Sequence, residues 1–123
     1  KTVNIDSSRI EKGGHKHFMA KEIAEQPSVI GQALSHYLSQ DGSINLPGAG
    51  FDFTKIDRIT MVACGTASYA CLTAKYWFEQ IARLPVEVDV ASEFRYREPP
   101  IPERTLALFV SQSGETADTL AAL

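Results

Sequence analysis

Two stretches of this chain are apolar at nearly every position, and each runs into glycine and hydroxyl side chains. "RITMVAC" spans residues 58–64 and leads into "GTAS"; "LALFV" spans 106–110 and leads into "SQSGET". A strand that alternates with polar residues can keep one face in water, whereas a strand apolar at nearly every position must be covered on both. Two such strands demand a sheet with helices on its faces. The helices are legible beside them. "GTASYACLTAKYWFEQIARL" (65–84) is rich in helix formers and stops before Pro85, and "ETADTLAAL" (115–123) starts another. A further strand, "VEVDV" (86–90), alternates Val86, Val88 and Val90 with Glu87 and Asp89, so one of its faces is wetter and it belongs at an edge.

Strands alternating with helices predict an α/β fold with a parallel sheet. With the apolar strands inside and the wet one outside, the spatial order is second, first, third. The winding then reverses between the first and third strands, and ligands of open parallel sheets bind at such a switch point, outside the carboxyl ends of the strands. The loops "CGTAS" (64–68) and "SQSGET" (111–116) should meet there. Each carries a glycine, Gly65 or Gly114, that lets backbone approach a ligand closely. Each puts hydroxyls near a helix start: Thr66 and Ser68 in one, Ser111, Ser113 and Thr116 in the other. A helix start presents free N–H groups and the positive end of the dipole, so an anion can be held there without Lys or Arg. Hydroxyls suit phosphate oxygens and sugar hydroxyls alike. Serine and threonine at helix starts also serve simply as N-caps; two such loops converging at one place favour binding. Glu115 is expected to point away from an anion.

The rest of the chain is quieter. Residues 1–14, "KTVNIDSSRIEKGG", read as a linker or an entry arm. Phe18, Met19, Ile23, Val29, Ile30, Ala33, Leu34 and Tyr37 recur at helical spacing, with Pro27 either dividing two helices or bending one. Residues 39–55 read as a loop, and "SEFRYREPPIPER" (92–104) as a turn over the surface, with a subunit contact as its other use. Tyr76, Trp77 and Phe78 are expected in the core and at an interface. A net charge of −3 argues against nucleic acid and anionic membranes as partners. No apolar stretch approaches the ~20 residues of a membrane span, and the first residues lack the apolar region of a signal peptide. Cys64 and Cys71 are poorly placed for a disulfide, which points to a reduced, cytoplasmic protein with Cys71 as a small buried hydrophobe. His15 and His17 lack partners at ligand spacing, so no metal is expected. "GAGFDF" (48–53) lacks the third glycine of a dinucleotide fingerprint and precedes its strand, so no cofactor is expected either.

"SQSGETADTL" (111–120), "ACGT" (63–66), "ASEFRYR" (91–97) and "HFMAKEIAEQP" (17–27) together resemble the isomerase half of the glutamine–fructose-6-phosphate aminotransferase family. The likeness runs from about residue 15 to residue 123; "SQSGxT" by itself would indicate only a sugar isomerase (SIS) fold. The resemblance implies a flavodoxin-like, Rossmann-like SIS subdomain over residues 15–123, truncated inside its last helix. It implies that Ser111, Gln112, Ser113 and Thr116 hold a sugar phosphate and that Cys64, Gly65 and Thr66 line the same pocket. Many members carry serine after "CGT" where this chain has Ala67, with Ser68 a substitute if the turn allows it. Members make glucosamine 6-phosphate and glutamate from fructose 6-phosphate and glutamine. Their lysine, glutamate and histidine for ring opening and proton transfer, and their glutaminase cysteine, are expected outside this stretch, so the chain alone should be inactive. A homodimer, or strand pairing through the uncovered sheet edge, is expected. The alternative is a SIS module that senses a phosphosugar within a regulator.

Overall fold

A computed structural model describes residues 11–46, 50 and 52–123. Most of the predicted linker (1–10) and much of the "PGAGF" stretch (47–49 and 51) lie outside the described residues. The chain divides into two units, residues 1–50 and 51–123.

In the first unit one continuous helix, α1, runs over Phe18–Tyr37 with Pro27 inside it. Of the two outcomes left open for Pro27, the single helix is the one observed; its ring costs the hydrogen bond that its missing N–H would have made. Lys21 is buried on this helix, its Nζ donating to the Glu11 carbonyl at 2.5 Å and lying 3.7 Å from the Glu25 carboxylate. After the helix the chain turns at Gly42 (φ 81°), with Asn45 N–H donating to the Tyr37 carbonyl and a bridge pairing Leu38 with Ile44.

The second unit holds the sheet. Strands β1 (Arg58–Ala63), β2 (Val86–Val90) and β3 (Thr105–Val110) are all parallel, in the order β2-β1-β3. This is the predicted order, with β1 central and the half-wet β2 at an edge. Helix α2 (Thr66–Trp77) follows β1 and continues as a π-helical turn over Phe78–Ala82; α3 (Ala91–Arg97) follows β2; α4 (Ala117–Ala122) follows β3.

Alternation along β1 divides the core in two. Ile59, Met61 and Ala63 pack with Cys71 of α2 and Val86, joined by Ala67, Ala74 and Phe78. Val62 packs the other way, against Ala91 and Phe94 of α3, with Phe109 and Ala122 closing the cluster. The sheet is therefore layered, α2 on one face and α3 with α4 on the other, which is why β1 needs no polar face. Its five residues 59–63 are all buried, whereas β3 is mostly half-buried because it forms the other edge of the described sheet.

Two expectations are corrected. The stretch predicted as a surface turn opens with helix α3. Its charges suit the helix ends, with Glu93 in the first turn and Arg95 and Arg97 in the last, while Ala91 and Phe94, three residues apart, face the core. Tyr76 and Trp77 are not core residues: they are 67% and 62% exposed, and of the three aromatics only Phe78 packs against the buried cluster. Among the described residues no helix is long and apolar enough to cross a membrane.

Candidate functional site

β1 and β3 pair in register, Ala63 opposite Val110, so both predicted loops leave the sheet side by side at its carboxyl end. Neighbouring strands lie about 4.8 Å apart, and nothing in the chain's path separates the loops at their origin. The winding reverses here, because the connection from β1 runs to one side and β3 returns on the other.

In the first loop Cys64 lies one residue past the strand, half-buried as a free thiol against the Val62, Ala91 and Phe94 cluster. Gly65 is the N-cap of α2, with φ 57° and ψ −135°, a backbone state that side-chain-bearing residues avoid. With Cys64 it carries the chain from strand to helix in two residues. Thr66 and Gly65 are exposed, and the Thr66 hydroxyl has no partner among the described residues. Ser68 turns back: its N–H donates to the Gly65 carbonyl at 3.1 Å and its hydroxyl to the same oxygen at 2.6 Å.

The second loop is held by its own hydroxyls. The Gly114 N–H donates to Ser111 Oγ at 3.1 Å, and the Glu115 N–H donates to Ser113 Oγ at 3.1 Å. Ser111 Oγ and Thr116 Oγ1 share a hydrogen bond of 2.9 Å. Gly114 has φ 70°, the left-handed turn that lets the loop fold back on Ser111. Gln112 and Ser113 are exposed; Ser111 and Thr116 are half-buried. Thr116 is the N-cap of α4, yet its hydroxyl caps no helix N–H and goes to Ser111 instead. Neither loop therefore spends its hydroxyls on capping, the simpler use that the sequence left open.

Ser113 only accepts within the loop, so its own proton is available. Between Ser111 and Thr116 one proton is shared and the other remains free, whichever is the donor. Thr66 contributes another. The site thus presents neutral O–H donors beside two helix starts, with no cationic side chain in either loop. The Arg95 guanidinium lies 3.7 Å from Asp118 in the first turn of α4 and links α3 to that helix. Sequence reading missed α3 altogether; the signal available was the three-residue spacing of Ala91 and Phe94. Among the described residues no group of three or more His, Cys, Asp or Glu could hold a metal ion.

Comparison with known proteins agrees with this architecture. A glutamine–fructose-6-phosphate aminotransferase [isomerizing] of Brucella abortus is 61% identical over 115 residues, 93% of this chain and 19% of that protein. One from Bradyrhizobium diazoefficiens is 60% identical over 119 residues, 95% of this chain and 20% of its own length. The chain thus spans about a fifth of the curated relatives it matches. The solved C-terminal domain of glucosamine-fructose-6-phosphate aminotransferase from Francisella tularensis superposes with a TM-score of 0.80 at 47% identity, covering 92% of this chain and 32% of that one. Residues 52–123, which hold the whole sheet and both hydroxyl loops, match the SIS domain, and the chain belongs to the SIS domain family.

Proposed function

We propose that this chain is the opening part of the isomerase portion of a glutamine–fructose-6-phosphate aminotransferase, with residues 15–123 in its first SIS subdomain and residues 1–14 a linker ahead of it. Its site takes fructose 6-phosphate or glucosamine 6-phosphate. Ser111, Gln112, Ser113 and Thr116 receive the phosphate, and Cys64, Gly65 and Thr66 lie beside the sugar. The observation that carries this reading is the in-register pairing of β1 with β3, which delivers two hydroxyl loops to one end of the sheet. The identity to proteins of that name supports the choice of substrate.

The chemistry is that of neutral recognition. A phosphate dianion gains from N–H and O–H donors aimed at it by the protein, and the dipoles of two helices add a positive end without a mobile cation. The free protons of Ser113, of the Ser111–Thr116 pair and of Thr66 match the terminal oxygens of one phosphate in kind. Ring opening and the proton transfer between adjacent sugar carbons fall to groups outside this stretch. The whole enzyme would form glucosamine 6-phosphate and glutamate from fructose 6-phosphate and glutamine, as a cytoplasmic homodimer without nucleic-acid or membrane partners.

Titration of fructose 6-phosphate against the chain tests the reading, with Ser113→Ala as the comparison. Saturable binding that weakens in Ser113→Ala is the expected result, with no glucosamine 6-phosphate formed by the chain alone. An absence of binding at millimolar ligand would overturn the assignment of the site.

A further inference from the structure

We propose that Ser68 is a positioning residue of the first hydroxyl loop and not one of its ligands: it pins the Gly65 carbonyl and so aims the Thr66 N–H at the site. The inference rests on the phosphosugar reading above. Ser68 stands one residue beyond Ala67, in the run of small and hydroxyl residues that opens α2. From the sequence it counts as another phosphate hydroxyl. Its geometry says otherwise, because its hydroxyl proton is already given to the Gly65 oxygen at 2.6 Å. A serine has one proton to donate, so Ser68 has none left for a ligand while the turn stands.

What that bond does follows from the peptide plane. In a trans peptide the carbonyl and the N–H point in opposite directions. No peptide bond described in this chain is cis. The Gly65 carbonyl accepts both the N–H and the hydroxyl of Ser68, so it is held toward the body of α2. The Thr66 N–H, on the same peptide plane, must then point out of the helix start, on the side where β1 and β3 end. Gly65 has no side chain to restrict this plane, and no side chain caps the helix there. The Ser68 hydroxyl adds a second, shorter restraint at 2.6 Å to the one its backbone N–H makes at 3.1 Å.

The experiment titrates fructose 6-phosphate into the wild-type chain, Ser68→Ala, Ser68→Thr and Ser35→Ala, and reads dissociation constants together with backbone amide NMR shifts. Ser35 makes the same kind of bond, hydroxyl to the Gly31 carbonyl at 2.9 Å, in α1. Ser68→Ala should bind roughly three- to tenfold more weakly, the worth of one neutral hydrogen bond. Its Thr66 and Ala67 amides should move before any ligand is added, with those of Gly114 and Glu115 unmoved. Ser68→Thr restores affinity and shifts; Ser35→Ala changes neither. An unchanged dissociation constant in Ser68→Ala overturns the inference. So does weakening without a shift at Thr66, which would make Ser68 a direct ligand. If the wild-type chain binds no sugar phosphate, the phosphosugar reading falls. The ligand-free shift at Thr66 then decides by its presence or absence whether Ser68 sets the turn.

Discussion

The same substitution, glycine to alanine, should act with opposite sign at two places in this chain. Gly65 sits at φ 57° and ψ −135° between β1 and α2, while Gly31 lies inside α1. A Cβ built on either meets nothing within 4 Å. Crowding by neighbours therefore drops out, and only the backbone term remains. At Gly65 an alanine must hold a state that costs on the order of 1–3 kcal/mol. It recovers part of that, roughly 0.4–1 kcal/mol, by restricting the unfolded chain. The net expectation is a loss of about 1–2 kcal/mol. At Gly31 the backbone is already helical, and alanine should stabilise by roughly 0.5–1 kcal/mol. Urea unfolding measures both. The single tryptophan, Trp77, reports on the unit that holds the sheet, and far-UV circular dichroism reports on all the helices, α1 being the longest among the described residues. At a slope near ~1 kcal/mol per molar urea, Gly65→Ala should lower its midpoint by roughly 1–2 M. A Gly65→Ala midpoint equal to that of the wild type would refute the argument, because the loop would then not be held in its left-handed state.

Other outcomes follow from the packing and the ion pairs. Val62 is fully buried in the central strand, so Val62→Ala loses two carbons worth about 0.8 kcal/mol each plus a cavity term, and should cost roughly 2–3 kcal/mol in the Trp77-detected transition. The Glu79 carboxyl is held below its ordinary 4.5, first by the hydrogen bond from Lys75 and then by the Val86 N–H. A lowered folded value means stability present above 4.5 that is lost as pH falls through the folded value. Glu79→Gln should flatten that acid limb of a stability–pH curve, and an unaltered limb would exclude the Lys75–Glu79 pair as its source. Burial pushes the Cys71 thiol up and leaves it 2% exposed. Iodoacetamide followed by peptide mass mapping should therefore label Cys64 first and Cys71 only on unfolding.

Much of the sheet could be read before the structure, because burial on two faces leaves a mark in each strand. β1 and β3 are apolar at nearly every position and β2 is not, and that difference places β2 at an edge, as observed in the order β2-β1-β3. Helix α3 left a fainter mark. It shows one face to the core through Ala91 and Phe94, and its arginines and the following "PP" imitate a surface turn. In a helix this short, two apolar positions are all the periodicity there is. Pro27 posed the reverse difficulty: a residue that disfavours helix interiors is accepted inside α1, and local preference could not say whether two helices or one would form.

The hydroxyls of the two loops show where composition stops informing. A run such as "SQSGET" states how many O–H groups a loop owns, and nothing in it states which protons are already given away. Those assignments depend on contacts across turns. Ser111 reaches Thr116 five residues on, Ser113 accepts from Glu115, and Ser68 gives its proton to Gly65. An equal count of serines therefore divides into groups that shape the loops and groups that keep a proton to offer. The two glycines make the division workable. With φ 57° at Gly65 and 70° at Gly114, each loop folds tightly enough to satisfy itself and still leaves donors at the end of the sheet. A site built this way needs no lysine or arginine, because its positive end comes from N–H groups fixed by the fold. Its specificity then depends on how firmly those groups are aimed, which is why a serine that touches no ligand can govern the affinity of the residues beside it.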